Sequence, residues 1–190
     1  MTFTLTEEDK RILLLTAREA VGARLQQRPA RFPAPTPVLS TRCGAFVTLK
    51  IGHALRGCIG QISAARPLID TVKEVSQSSA FEDPRFPAVQ PSEWDRVSIE
   101  ISVLSPFQRV ADPGSVQVGL HGVMVRSGGR SGLLLPQEAA EQGWDRETLL
   151  THACRKAGLP GDAWKSPDTK IEVFTATVFG ENEEKGQARW

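Results

Sequence analysis

One cysteine of the chain lies in a setting suited to covalent chemistry. Cys58 belongs to the motif Leu-Arg-Gly-Cys-Ile-Gly, where Gly57 and Gly60 remove side-chain bulk and let a ligand or another backbone approach the sulfur. Arg56, two positions earlier on a predicted strand, shares its face, and its charge would favour the nucleophilic thiolate. Its planar guanidinium could instead hold an anionic part of a ligand with two hydrogen bonds, and we favour this ligand-binding role. Cys58 is therefore a candidate nucleophile or covalent anchor. The alternative is a small packed residue, because free cysteine is often buried.

Two further residues could exchange protons at such a site. His121 lies in a predicted strand, and Glu100 occupies the less apolar face of another strand. Either could accept a proton from the nucleophile or orient the other residue. A lone histidine is more often structural, and a carboxylate on a half-polar face is usually solvated. The catalytic hypothesis requires both residues to share one cleft with Arg56 and Cys58.

The segment Asp83-Pro84-Arg85 predicts a rigid loop with two charged side chains. An aspartate can hydrogen-bond its own backbone, and an arginine can hold a carboxylate or phosphate with two hydrogen bonds. Asp83 and Arg85 are therefore candidate ligand-binding residues. An internal ion pair that fixes the loop explains them equally well.

Composition restricts the class of protein. The chain has 190 residues, with 23 Lys and Arg against 22 Asp and Glu, so no basic footprint for nucleic acid is present. Its apolar runs are much shorter than the ~20 residues that span a bilayer. The cysteines, at positions 43, 58 and 154, form neither a disulfide framework nor a metal-ligand pair. We expect a soluble, cytoplasmic protein with free thiols, no metal site, and Cys154 in a structural role.

The elements that must position these residues follow from hydrophobic periodicity. It predicts helices at about 7–27, 67–81, 136–141 and 145–157, and strands at 45–51, 55–60, 97–104, 118–126, 131–135 and 171–179. Many hairpins with few crossover helices favour an α+β fold with mixed, largely antiparallel sheets and flanking helices. We expect a flexible polar tail over 181–190.

Several of these segments together carry a resemblance. They are, in chain order, Leu55-Arg56-Gly57-Cys58-Ile59-Gly60, Asp83-Pro84-Arg85-Phe86, Ile99-Glu100-Ile101-Ser102-Val103-Leu104, His121-Gly122, Gly132-Leu133-Leu134-Leu135-Pro136-Gln137 and Lys156-Ala157-Gly158-Leu159. This series resembles the AMMECR family, whose prokaryotic members are called AmmeMemoRadiSam system protein A. The resemblance runs from about Leu5 to Phe179.

The resemblance implies a single AMMECR domain over 1–180, with a larger and a smaller lobe and the arginine-cysteine motif in a cleft between them. It also implies association with a Memo-like protein and a radical SAM protein. The family supplies no settled reaction and no known cofactor, so two hypotheses remain. The chain is an enzyme or enzyme subunit that uses Cys58, or a non-catalytic module that binds a small ligand or a partner's peptide.

Overall fold

Two four-stranded sheets organise the chain, one in each of two compact units. The computed structural model describes residues 3–62 and 65–181. The first unit contains the chain up to Leu104 and from Thr177 onward, and the second contains Ser105–Ala176. Helices flank both sheets, and the pairs β1–β2, β1–β3, β4–β7, β5–β6 and β5–β7 are antiparallel, which confirms the predicted α+β class. In the described ranges, no helix is long and apolar enough to cross a membrane.

The first unit is built on a sheet with the strand order β2-β1-β3-β8. Its elements are α1 (Glu7–Leu25), β1 (Ala45–Ile51), β2 (Ala54–Gln61), α2 (Leu68–Phe81), β3 (Val97–Leu104) and β8 (Ala176–Gly180). Helix α1 begins in a capping box, in which the Thr6 hydroxyl accepts a hydrogen bond from the Asp9 N–H at 3.2 Å and the Asp9 carboxylate accepts one from the Thr6 N–H at 2.8 Å.

Period-two alternation gives the first sheet one apolar and one polar face. Val47, Leu49, Ile99 and Ile101 are fully buried in a core that they share with α1 and α2. The alternating residues on β1 and β3, Thr48 and Glu100 among them, are half-buried on the opposite face. The chemistry-bearing side chains of the first unit therefore belong to the face that the helical core leaves free.

The motif glycines have packing partners inside the protein. A Cβ atom at Gly57 would lie 2.1 Å from the Ser79 carbonyl oxygen, so glycine lets α2 approach β2 closely. A Cβ atom at Gly60 would lie 2.1 Å from the ring of Phe46 on the neighbouring strand β1. The sequence left open whether a ligand or another backbone approaches at the glycines; in the structure the space beside Gly57 is taken by the Ser79 backbone and that beside Gly60 by the Phe46 ring.

The second unit has a sheet with the order β4-β7-β5-β6. Its elements are β4 (Gln108–Val110), β5 (Gly122–Ser127), β6 (Arg130–Leu134), α3 (Pro136–Glu141), α4 (Arg146–Lys156) and β7 (Lys170–Phe174). Asp145 caps α4 by accepting a hydrogen bond from the Thr148 N–H at 2.8 Å. Cys154 is fully buried with Leu150 in the core of this unit, as predicted from its helical face.

Two sequence predictions about the elements are wrong, and a third, the tail over 181–190, stays a prediction. The strand expected over 118–126 begins only at Gly122, because 118–120 form a turn with Gly119 at φ 83°. The strand expected over 171–179 is two strands in different sheets, separated at Thr175. The tail expected from 181 has an anchored first residue: Glu181 pairs with Arg18 and accepts a hydrogen bond from the Ile99 N–H at 2.8 Å. The remainder of the predicted tail, 182–190, lies outside the described residues.

We expect Gly57→Ala to lower the free energy of unfolding by about 2 kcal/mol or more, because the new methyl group meets backbone that can move only by displacing α2. Urea unfolding followed by circular dichroism measures the change. Gly161→Ala is the matched control: its methyl group would meet flexible side-chain ends of Thr151 and Arg155, and we expect a much smaller change. Equal losses in both variants would contradict this account of Gly57.

Candidate functional site

The polar face of the first sheet brings a thiol, a hydroxyl and a carboxylate into one row across three strands. Thr48 on β1 lies opposite Cys58 on β2 and opposite Glu100 on β3. Lys50, the next residue of β1 on this face, donates a hydrogen bond from Nζ to Glu100 Oε2 at 2.8 Å. We call Cys58, Thr48, Lys50 and Glu100 the polar row. Cys58 and Glu100 were candidate residues from the sequence, whereas Thr48 and Lys50 were not, although the alternation along β1 places both on this face.

The backbone N–H, the carbonyl oxygen and the thiol of Cys58 each have a partner in the protein. Its N–H donates to Asp83 Oδ2 at 2.8 Å, its carbonyl oxygen accepts from Arg85 Nη2 at 3.0 Å, and its Sγ lies 3.3 Å from Thr48 Oγ1. The thiol is half-buried, whereas Cys43 and Cys154 are fully buried. Burial raises the pKa of Cys43 to about 11 and also raises the pKa of Cys154. Of the three thiols, Cys58 is therefore the one that reagents can reach.

Asp83 and Arg85 form the internal ion pair that the sequence analysis considered. The Asp83 side chain is 2% exposed and accepts hydrogen bonds from Arg85 Nε at 2.9 Å, from Arg85 Nη2 at 2.7 Å and from the Arg85 N–H at 3.1 Å. Hydrogen bonding from Arg85 holds the pKa of Asp83 far below its usual range. The Arg85 pKa is raised, mainly by Asp83 and also by the Cys58 side chain. Arg85, which is 54% exposed, thus supplies a cation beside the thiol.

Arg56 does not have the free guanidinium that we expected. The register of β1 and β2 shifts so that Leu49 opposes Gly57 and Lys50 opposes Leu55, which leaves Arg56 as the extra residue of a β-bulge. Its Nε and Nη2 donate to the two carboxylate oxygens of Glu93 at 3.2 and 2.6 Å, and its Nη1 donates to the Pro87 carbonyl at 2.9 Å. The fork that was expected to grip a ligand grips the 87–93 segment.

His121 belongs to the second unit and follows a turn, whereas the sequence analysis placed it within a strand. Its Nδ1 accepts a hydrogen bond from the Gln117 N–H at 3.1 Å, which closes that turn. This contact gives His121 a local structural role. Its grouping with Cys58 and Glu100 in a cleft between lobes stays a prediction. Within 3–62 and 65–181, no three His, Cys, Asp or Glu side chains cluster as metal ligands would.

The architecture and the motif positions define an α+β class with two antiparallel sheets, and comparison with known proteins gives the family. The AMMECR1 family model matches residues 14–179, and the chain belongs to the AMMECR1 family. Protein MK0488 of Methanopyrus kandleri is 44% identical over 200 residues, covering 97% of this chain and 94% of that protein. Protein TK0174 of Thermococcus kodakarensis is 40% identical, with 98% and 97% covered.

A solved structure is also similar to this chain. The crystal structure of uncharacterized protein PH0010 from Pyrococcus horikoshii superposes with a TM-score of 0.78 and 37% sequence identity, and the match covers 97% of each chain. The predicted family is confirmed. The names of these three proteins state no reaction.

We expect Asp83→Asn to lower the free energy of unfolding at neutral pH by about 2 kcal/mol, because charge-assisted hydrogen bonds to Arg85 and Cys58 are lost. The pKa of Asp83 is lower in the folded protein than in the unfolded chain. The stability that the carboxylate contributes is therefore fully present above its unfolded-state pKa and is lost as the pH falls through its folded-state pKa. The difference in free energy of unfolding between wild type and variant should therefore become smaller from about pH 5 downward. Chemical unfolding across this pH range tests it, with exposed Asp95→Asn as the control. A constant difference at every pH would contradict the assignment.

We expect Arg56→Lys and Glu93→Gln each to cost about 1 to 2 kcal/mol of stability, because either change breaks the two-point contact. The double variant should cost less than the sum, with a coupling energy of about 1 kcal/mol. Urea unfolding of the four proteins gives this coupling. Arg66→Lys, in the more exposed Arg66–Glu74 pair, should change stability little. Additive losses at Arg56 and Glu93 would show that their contact contributes nothing.

Proposed function

We propose that this chain is an enzyme, or a subunit of one, in which Cys58 acts as nucleophile or covalent anchor for a small anionic substrate on the polar face of the first sheet. One observation carries the proposal: the accessible thiol lies beside an arginine, Arg85, that a buried carboxylate holds in place. The Arg85 Nη2 donates to the Cys58 carbonyl at 3.0 Å, so the guanidinium lies where it could hold an anionic group of a substrate next to the attacking residue.

Arg85 suits two tasks at such a site. Its backbone and side chain are tied to Asp83, so the guanidinium is positioned before a substrate arrives. More than half of the side chain remains exposed, and it could contact a carboxylate or phosphate of the substrate. We therefore assign to Arg85 the anion-holding role that the sequence analysis gave to Arg56, and keep Asp83 as its positioning partner.

Glu100 is the proton acceptor in this proposal. It lies two strands from Cys58 in the polar row, roughly 10 Å away at the usual strand spacing, so a substrate or a water molecule would have to link them. The hydrogen bond from Lys50 Nζ fixes the position of the Glu100 carboxylate within the polar row. The family resemblance adds a Memo-like protein and a radical SAM protein as candidate partners, and free thiols suit the reducing cytoplasm.

A second candidate function is a non-catalytic module that binds a small ligand or a partner's peptide. The observation that favours it is the packing of the motif: Gly57 accommodates α2, Gly60 accommodates Phe46, and Arg56 holds Glu93. Three residues of the motif are thus explained by stability alone. In this alternative the polar row contributes shape and hydrogen bonds, and the thiol has no chemical task.

Thiol alkylation separates the two candidates. We expect iodoacetamide to modify Cys58 in the folded protein, as located by peptide mass spectrometry, and to modify Cys43 and Cys154 only after unfolding. Arg85→Gln should slow the reaction at Cys58 roughly three- to tenfold near neutral pH, since a cation beside the thiolate is lost. Arg85→Lys should restore part of the rate.

Arg66→Gln is the control, because it removes the same charge from an exposed position and should leave the Cys58 rate unchanged. Melting curves must show that each variant is folded under the labelling conditions. A Cys58 rate that is equal in wild type and Arg85→Gln would remove the physical basis for a nucleophile. A metabolite-binding screen of wild type against Cys58→Ser then identifies any covalently held substrate.

A further inference from the structure

The second unit contains a separate concave site that the Cys58 proposal does not use. It is a cavity of about 620 Å³ between the end of β4 and the segment 164–171. Its lining includes Arg109, Val110, Pro113, Trp164, Lys165 and Ser166. This volume lies within the range of about 300 to 1,000 Å³ that is typical of small-molecule sites in proteins.

The indole of Trp164, which forms the aromatic wall of this cavity, is fixed by contacts within the second unit. Trp164 lies in the short 3-10 turn Ala163–Lys165 and packs against the core of the second unit. The Ser166 N–H donates to the Ala163 carbonyl at 3.0 Å and closes the turn. The half-buried indole is thus held in place without a ligand.

Arg109 enters the cavity from β4 without an internal ion pair. It lies opposite Glu172 in the β4–β7 register, but Glu172 accepts its hydrogen bond from Arg126 Nε at 2.8 Å. Over the ranges that the structure describes, no hydrogen bond or ion pair of the Arg109 guanidinium is present. Its planar fork is therefore available to an anion from outside the chain.

Lys165 adds a second positive charge beside the indole. Its Nζ lies 5.0 Å from the centroid of the Trp164 ring, within the range of a cation–π contact. None of the described residues that line the cavity is an aspartate or a glutamate. The lining therefore combines two cations with an apolar and aromatic surface, and the carboxylate nearest to Arg109 in the strand register, that of Glu172, is bound by Arg126.

We propose that this cavity binds a small aromatic anion of the nucleoside monophosphate class. Arg109 and Lys165 suit the two negative charges of a phosphate monoester, and the guanidinium can form two parallel hydrogen bonds to it. Trp164, Val110 and Pro113 provide the apolar surface that a planar ring contacts. The cavity volume is compatible with both an aromatic ring and a phosphate group. Its two positive charges favour a nucleoside monophosphate over a neutral nucleoside.

Isothermal titration calorimetry with AMP as the probe tests the proposal. We expect AMP to bind with a dissociation constant between roughly 10 μM and 1 mM. Adenosine, which lacks the charge, and inorganic phosphate, which lacks the ring, should each bind at least about tenfold more weakly. Absence of binding by AMP, GMP and UMP up to about 5 mM would overturn the proposal.

Variants locate the binding. Arg109→Gln and Lys165→Gln should each weaken AMP binding about tenfold, the scale of one charge-assisted contact. The control is Lys156→Gln, an exposed lysine of the same unit paired with Glu138, which should leave AMP affinity unchanged. Cys58→Ser should also leave it unchanged, so this site and the thiol site fail or succeed separately. AMP affinity that is unaffected by Arg109→Gln and Lys165→Gln, or lowered equally by Lys156→Gln, would overturn the assignment.

Discussion

The candidate site depends on the hydrogen bonds that one buried carboxylate, that of Asp83, accepts. It is buried, yet it accepts hydrogen bonds from the Cys58 N–H and from the backbone and side chain of Arg85. A buried charge of this kind is tolerated only when its hydrogen-bonding capacity is met. The hydrogen bonds that satisfy this carboxylate join the loop after α2 to strand β2, and they place the Arg85 guanidinium beside Cys58. The position of Arg85 relative to Cys58 is thus a consequence of satisfying one carboxylate.

A second constraint is the close approach of α2 to β2. Gly57 allows the Ser79 carbonyl to occupy the space of a side chain, and the Ser79 hydroxyl donates to the Val47 carbonyl at 2.8 Å and accepts from the Ile59 N–H at 2.9 Å. The helix is therefore fastened to two strands of the sheet at one point. Because this contact lies on the apolar face, the opposite face is left to Cys58, Thr48 and Glu100.

Much of the fold could be predicted from the sequence because local patterns determine it. Alternation along β1 and β3, the Asp145 cap and the helical spacing of α4 each depend on neighbouring residues. The division between β7 and β8 could not be predicted, since Ile171, Val173, Thr177 and Phe179 continue one period-two pattern across Thr175. Which sheet a strand joins is decided by distant partners.

The candidate residues of the site came from local motifs, and their roles stay predictions. The structure shows the contacts of two of these motifs: Cys58 lies beside Thr48, and Asp83 pairs with Arg85, which is the internal ion pair given as the alternative. The contact of Arg56 with Glu93, 37 positions later, could not be predicted, because a β-bulge redirects the side chain and nothing local to the motif signals it. The glycines were correctly identified as places of close approach, but the approaching groups, Ser79 and Phe46, are part of the protein.

The first unit is discontinuous in sequence, since the second unit, Ser105–Ala176, follows β3 in the chain and ends at the first residue of β8. The two ends of the insertion meet: the Ser105 N–H donates to the Thr175 carbonyl at 2.9 Å, and the Thr175 N–H donates to Ser105 Oγ at 3.0 Å. During synthesis, the strand that completes the first sheet leaves the ribosome only after the whole second unit has been made. Edge β3 of the nascent first sheet stays unpaired for that time, a condition that favours intermolecular strand pairing. Early folding of the insertion, by bringing residues 105 and 175 together, shortens the loop that β8 must close and so limits the lifetime of that exposed edge.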